Sequence, residues 1–420
     1  MSEHRPSTAD LHAAHVVPTY GRFPLALARG RGVRVWDEDG RAYLDFTSGI
    51  AVNSLGHAHP ALRDALAAQA DTLVHTSNLF LTRPQAELAA RLSSFVGEPG
   101  KVFFCNSGAE ANEGLYKLAR KHGSPRGRHE IITFDGSFHG RTLGGIAATG
   151  QLKVKLGFGP PVDGFLNIPA RAECVAAAIS PRTAAILVEP IQGEGGVRPF
   201  DADFLRGLRA VCDEHGLLLL FDEVQCGLGR TGHWCGWHSC GAGDVVPDGV
   251  SWAKGIGGGF PLGAFWVRDR ALAAGGSLAD LLGPGTHGTT YGGSPLACAA
   301  ATAVFDTIEK ESLLANAVER GAQLRASLTA LGSPLVRAVR GAGLLLGVEL
   351  APFRWRDDNR DEAKPPALRF TLRAIEQGLL VVPAGENVIR LLPPLNVTAA
   401  ECDEAVALLR DVLALAEPVA

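Results

Sequence analysis

The chain is poor in the features that mark several large classes of protein. No stretch approaches the roughly 18 apolar residues of a membrane span. The segment Met1–Asp10 lacks the apolar core of a secretory signal, so a cytoplasmic location is expected. Eight cysteines in 420 residues are too sparse for a disulfide scaffold and suit a reducing compartment. With 40 basic residues against 44 acidic ones there is no positive excess for nucleic acid or an anionic membrane. Small molecules, or a second copy of the chain, are the partners left. Internal repeats and low-complexity tracts are missing, and so is a Walker loop, which argues against P-loop nucleotide chemistry.

Lysine is scarce as well: eight of the 40 basic residues, most of them among polar neighbours, such as Lys117 and Lys121 or Lys153 and Lys155. Lys254 stands apart, between Trp252, Ala253 and a glycine run that reaches Gly259. Desolvation without a local counter-charge lowers a lysine pKa toward a nucleophilic amine. A lysine snorkelling from a glycine-rich loop would look the same locally.

What is present is an α/β alternation with 46% apolar residues, enough for a large core and a length of two or three domains. Residues up to about 20 read as an arm without periodicity. Val33–Phe46 reads as a hairpin turning at Asp39-Gly40. His57 and His59, in Gly56-His-Ala-His-Pro60, read as loop-capping rather than catalytic. Lys101–Cys105 reads as a strand running through a tight turn into a helix. Ser107, Gly108 and Ala109 there suit either a phosphate on free amides or an ordinary helix cap. Glu130–Phe134 and Ala184–Pro190 are expected strands. They are followed by loops holding Phe138 and Arg141, and Glu194, respectively.

The run Leu217–Phe221 reads as a buried strand that delivers Asp222 to its carboxyl end, where ligands dock on open α/β sheets. Gly263–Val267 reads as a further strand, and the loop from Gly285 to Pro295 opens a helix. From about Asn316 the pattern is helix, strand Leu344–Leu350, a polar interruption from Arg354 to Pro366, helix, and strand Val388–Leu392 with Arg390 at its centre. The expected division is an arm and hairpin in 1–60, a large domain in 61–315, and a small α+β domain in 316–420 that takes in the hairpin. His233, Cys235, His238 and Cys240 fall close together but lack a second, distant ligand pair, so no metal is expected.

The run from Asp222 to Gly232, Asp-Glu-Val-Gln-Cys-Gly-Leu-Gly-Arg-Thr-Gly, and the run Ala253-Lys-Gly-Ile-Gly-Gly-Gly-Phe-Pro-Leu-Gly-Ala264 resemble the signature of the class III aminotransferases. Within that family the pattern is most similar to the acetylornithine group. The likeness extends from Val33 to Arg390. It implies the fold type I of pyridoxal-phosphate (PLP) transferases, with Lys254 bonding the cofactor and Asp222 keeping its ring nitrogen protonated. It implies that Ser107, Gly108 and Ala109 hold the phosphate, that Phe138 and Val224 pack on the ring, and that Gln225 bonds its phenolic oxygen. Arg141 and Arg390 would take substrate carboxylates, with Glu194 pairing to Arg390. A homodimer is implied too, with Thr290 reaching the partner's cofactor phosphate and Thr289 beside the substrate. Cys226 departs from the threonine expected there.

The implied reaction moves an amino group from an ω-amine, N2-acetylornithine first, to 2-oxoglutarate, in arginine biosynthesis. Ornithine, succinylornithine, 4-aminobutyrate and carrier-bound lysine are the alternative donors. Ser48–Asn53 lacks the tyrosine associated with free-ornithine enzymes, which favours a capped donor. A PLP mutase or decarboxylase, or a non-catalytic PLP-binding protein, are the remaining rivals.

Overall fold

The strands Glu130–Phe134, Thr183–Val188 and Leu218–Asp222 are buried at every residue. Strands of that kind need cover on both faces, which a parallel sheet between helices supplies. In the computed structural model, which describes residues 6–356 and 363–419, they form the middle of a seven-stranded sheet. Its order is Gly100–Cys105, Gly263–Arg268, Gly249–Trp252, Leu218–Asp222, Thr183–Val188, Glu130–Phe134, Phe165–Ile168. Gly263–Arg268 runs antiparallel to both its neighbours, and the other pairings are parallel.

Side chains alternate across the sheet with a period of two. Ala185, Leu187, Leu218 and Leu220 join Leu115, Leu118 and Phe265 in one cluster, under the helix Gly108–Gly123. Ile186, Val188, Leu219 and Phe221 face the other way, into the main core with Leu205, Leu208 and Cys212 of the helix Ala202–His215. The α/β class read from the sequence is the observed one.

Two smaller sheets lie beside this body. The hairpin Arg34–Asp37 and Ala42–Asp45 turns through Gly40, at φ +85°, and is joined by Leu27–Arg31 and, in parallel, by Leu379–Leu380. Val336–Ala342, Leu345–Leu350, Val388–Leu391 and Val382–Ala384 form the other, with Arg390 in register with Gly347. Helices Leu313–Ala330, Pro366–Glu376 and Ala399–Ala414 accompany it.

Several elements escaped the sequence pattern. The arm holds a helix, Thr8–His15, started by a capping box between Ser7 and Asp10; it buries no residue, so it left no apolar stripe. Leu27–Arg31 and Val336–Ala342 have no buried residue either, so neither alternates. The first five residues of the arm, residues 357–362 of the polar interruption, and residue 420 lie outside the described part.

Close packing of helix on sheet depends on a glycine. A Cβ added at Gly114, inside the helix Gly108–Gly123, would lie 2.2 Å from Cε1 of Phe265. Alanine normally gains about 1 kcal/mol over glycine within a helix, whereas overpacking a core costs about 1–3 kcal/mol. Gly114→Ala is therefore expected to lower stability by up to about 2 kcal/mol net. A denaturant midpoint at or above that of the wild type would contradict this packing.

Candidate active site

Five strands of the sheet run in one direction, the antiparallel Gly263–Arg268 standing between two of them, and the residues that follow their common ends converge. Cys105 is followed by Ser107, which caps the helix Gly108–Gly123 by accepting from Glu110 N at 3.3 Å. The first amides of that helix have no acceptor within it, so they point a partial positive charge outward. Gly108 lies where an added Cβ would be 2.7 Å from Val224 Cγ1, so the helix start is pressed against the segment after Asp222.

Asp222 is buried and fully engaged. Its Oδ2 accepts from Asn112 Nδ2 at 2.7 Å and lies 2.8 Å from His139 Nδ1, while Oδ1 accepts from Val224 N at 3.0 Å. Ser251 Oγ donates to Asn112 Oδ1 at 2.7 Å, which turns the Asn112 amide toward the aspartate. A carboxylate beside Nδ1 assigns the imidazole proton to that nitrogen. Asn112 and His139 were not singled out in the sequence. Yet Asn112 lies one turn after Gly108 on its helix, and His139 follows Phe138 directly.

Lys254 sits at the start of the short helical turn Lys254–Gly257 with φ +49°, a left-handed value that a side chain adopts at a cost. Burial pushes its amine below the ordinary lysine value; Glu194, Asp222 and Glu189 pull the other way, and Arg390 adds to the lowering. Glu189, also missed, follows the strand Thr183–Val188. Burial, and then the Asp222 charge, push its carboxyl well above the usual range. Its oxygens accept from Phe138 N at 3.1 Å and Gly193 N at 3.5 Å.

Ser107, Gly108, Ala109, Phe138, Arg141, Asp222, Val224, Gln225 and Lys254 all line one cavity of about 440 Å³. The Arg141 guanidinium lies over the Phe138 ring, 5.4 Å from its centroid. Glu194 and Arg390 form an ion pair of 2.8 Å, and Arg390, 1% exposed, also donates to Gln225 Oε1. Burial alone would raise the Glu194 carboxyl, but Arg390 and Lys254 hold it below its ordinary value. Thr289 and Thr290 are not brought to this cavity: they line a separate hollow of about 310 Å³ with Asn106 and Tyr291. Thr289 Oγ1 accepts there from Asn106 Nδ2 at 3.2 Å.

The two histidines expected to cap a loop do something else. His59 holds the N-cap position of the helix Pro60–Ala70 without a side-chain cap, and His57 pairs with Asp45 at 2.8 Å. In the His233 to Cys240 stretch, the Cys235 thiol donates to Phe95 O at 3.2 Å and the Cys240 thiol to Pro190 O at 3.5 Å, so the two sulfurs turn to different partners. The Cys226 thiol is buried against Glu223 Oε1 at 3.8 Å.

The sequence matches the aminotransferase class-III family over residues 16–413. The chain belongs to the class III aminotransferases. An acetylornithine aminotransferase of Myxococcus xanthus is 49% identical over 397 residues, which span 93% of each chain. Among solved structures, the ornithine aminotransferase of Toxoplasma gondii, with PLP partially occupying its active site, matches with a TM-score of 0.87 at 31% identity, over 97% of this chain and 95% of its own. The N-acetylornithine aminotransferase of Stenotrophomonas maltophilia K279a matches with a TM-score of 0.78 at 36% identity, over 96% and 98%.

The aminotransferase is PLP-dependent and has fold type I. Its residues fit the cofactor: a buried amine of lowered pKa, an engaged carboxylate, and a helix N-terminus all border a single cavity. In this class of enzyme such groups supply a covalent anchor, a partner for the ring nitrogen, and a seat for a phosphate.

Removing the Glu194 charge would leave Arg390 buried beside a neutral acceptor alone. Breaking a buried pair in this way costs about 3 kcal/mol. Glu194→Gln is expected to lose stability on that scale. An unfolding free energy within about 1 kcal/mol of the wild type would mean that the pair is worth no more than an exposed one.

Proposed function

We propose that this aminotransferase moves the ω-amino group of N2-acetylornithine to 2-oxoglutarate, a step of arginine biosynthesis, in the cytoplasm. The observation that carries the reading is the grouping of Lys254, Asp222 and Arg141 at one cavity, with the Glu194–Arg390 pair joined to it through Gln225. The relative at 49% identity is an acetylornithine aminotransferase, which supports an acetylated donor over free ornithine.

PLP, when bound, supplies an aldehyde for covalent capture of amines and a ring that draws electrons from the amine-bearing carbon. Lys254 is its anchor, and the same amine, its pKa lowered by burial, takes and returns the proton at that carbon. Asp222 holds the ring nitrogen's proton, oriented by Asn112 and His139. Ser107, Gly108 and Ala109 seat the phosphate, Phe138 and Val224 cover the ring faces, and Gln225 meets the phenolic oxygen. Thr290 serves the cofactor phosphate of a second copy in a homodimer, and Thr289 lies near the substrate. Residues 61–315 form the cofactor domain, while 1–60 and 316–420 make the domain that closes on it.

Arg141 takes the α-carboxylate of the donor while Glu194 stays on Arg390. A dicarboxylate such as 2-oxoglutarate needs a second guanidinium, which Arg390 provides once Glu194 leaves it.

Lys254→Ala should lose the visible absorption band of the lysine-bound cofactor and cut turnover about a thousandfold or more; full activity in that variant would end the reading. In single-turnover measurements, Arg141→Ala should weaken both half-reactions by about 2–5 kcal/mol. Glu194→Ala should spare the 2-oxoglutarate half and blur the choice among donors. An untouched donor half in Arg141→Ala, or damage confined to the keto-acid half in Glu194→Ala, would reverse the assigned roles.

A further inference from the structure

Four consecutive residues run left-handed: Ser48, Gly49, Ile50 and Ala51 have φ of 46°, 65°, 66° and 62°. Three of them carry side chains, and Ile50 is β-branched. L-residues adopt this conformation at a cost for each, and it persists only where its surroundings over-determine it. Ile50 is 38% exposed, so core packing on its side chain does not hold it there.

The holding contacts come from a pair of residues before and after the turn. Asp45 Oδ1 accepts from Thr47 N at 2.8 Å, Thr47 Oγ1 at 2.6 Å and Ser48 N at 3.0 Å. Its other oxygen lies 2.8 Å from His57 Nε2. The His57 ring is wedged in place: a Cβ added at Gly30 would be 2.6 Å from its Cγ, and its main chain exchanges hydrogen bonds of 2.8 Å with Gly32 in both directions. Burial would raise the Asp45 carboxyl, but the bonds from His57 and Thr47 keep it below its ordinary value.

The turn ends at the cavity. Val52 lies in the cavity wall with Lys254, and Ser54 Oγ donates to Gly255 O at 3.3 Å. A Cβ added at Gly255 would be 2.5 Å from that Oγ, so the two segments are in close contact next to Lys254. We propose that Asp45 and His57 are positioning residues, a clamp that holds the left-handed turn and so fixes the wall of the cavity against which the amino donor lies. The inference rests on the reading of this cavity as the donor site.

The test uses His57→Leu, His57→Gln and the double variant His57→Leu with Ala51→Gly. Glycine adopts positive φ freely, so it should restore a turn that has lost its clamp. His57→Leu is expected to raise the KM for N2-acetylornithine about tenfold, the scale of one left-handed residue released. His57→Gln, whose amide can still donate to Asp45, and the glycine double variant should both recover most of that loss. A purely structural histidine would instead lower kcat through a smaller active fraction and leave KM alone, and that result overturns the proposal.

Hydrogen–deuterium exchange on the purified enzyme gives a readout without substrate. The amides of Ala51 to Asn53 should exchange faster in His57→Leu and slow again with Ala51→Gly; unchanged protection there also overturns the proposal. Should His57→Leu fail to fold, Asp45→Asn, which keeps an acceptor for Thr47 and Ser48 but loses the charge facing His57, carries the same expectations. If the wild type does not turn over N2-acetylornithine, the donor reading falls, and the exchange measurement still decides the clamp.

Discussion

Charge balance around a buried amine is the constraint on which the site depends. Lys254 and Arg390 bring two positive charges into a poorly solvated region, where each would be costly unpaired. Asp222, Glu189 and Glu194 offer three carboxyls, one more than the cations need. Burial and the neighbouring Asp222 charge raise the Glu189 carboxyl well above its usual range, so it is the one disposed to give up its charge, whereas Arg390 and Lys254 lower the carboxyl of Glu194.

The sheet explains why these groups meet. Ser107, Phe138, Glu189, Asp222 and Lys254 each lie at or just past the end of one of five strands, and those strands run parallel. Their carboxyl ends therefore lie along one edge of the sheet, which is where open α/β sheets present their ligands. Glu189 then ties two of the loops together, bonding the backbone of Phe138 from one and Gly193 from the other.

Much of this framework was legible in the sequence because burial on both faces leaves apolar runs without alternation, and Leu217–Phe221 is such a run. Lys254 was legible for the opposite reason, as a charge placed where charges are rare. Ser107 announced itself by the cap geometry it prefers. The partners of Asp222 were not legible. Asn112 and His139 come from distant segments, and nothing local distinguishes an aspartate held by them from a free one. The left-handed turn Ser48–Ala51 was hidden too, since of its four residues only Gly49 favours positive φ. Glu189 looked like the last residue of a strand, and its raised pKa comes from burial first and then from the charge of Asp222, 33 positions away, both of which only folding supplies.

The Glu194–Arg390 pair joins parts of the chain that are remote in sequence, and its setting determines how it can open. Arg390 is fixed in a strand of the C-terminal sheet, while Glu194 is on the loop after Thr183–Val188. That loop has other holds on its backbone: Glu189 accepts from Gly193 N, and Arg340 Nε donates to Gly196 O at 2.9 Å and Val197 O at 3.0 Å. Arg230 separately binds the main chain at Leu344 and Pro393, so the C-terminal segment is docked without help from Glu194. Glu194 itself is 28% exposed and so has solvent to move into. With backbone contacts on both sides independent of it, the pair can part by rotation of one glutamate side chain. In the proposed reaction, admission of a second carboxylate would then cost the exchange of one ion pair for another, without separation of the two sheets.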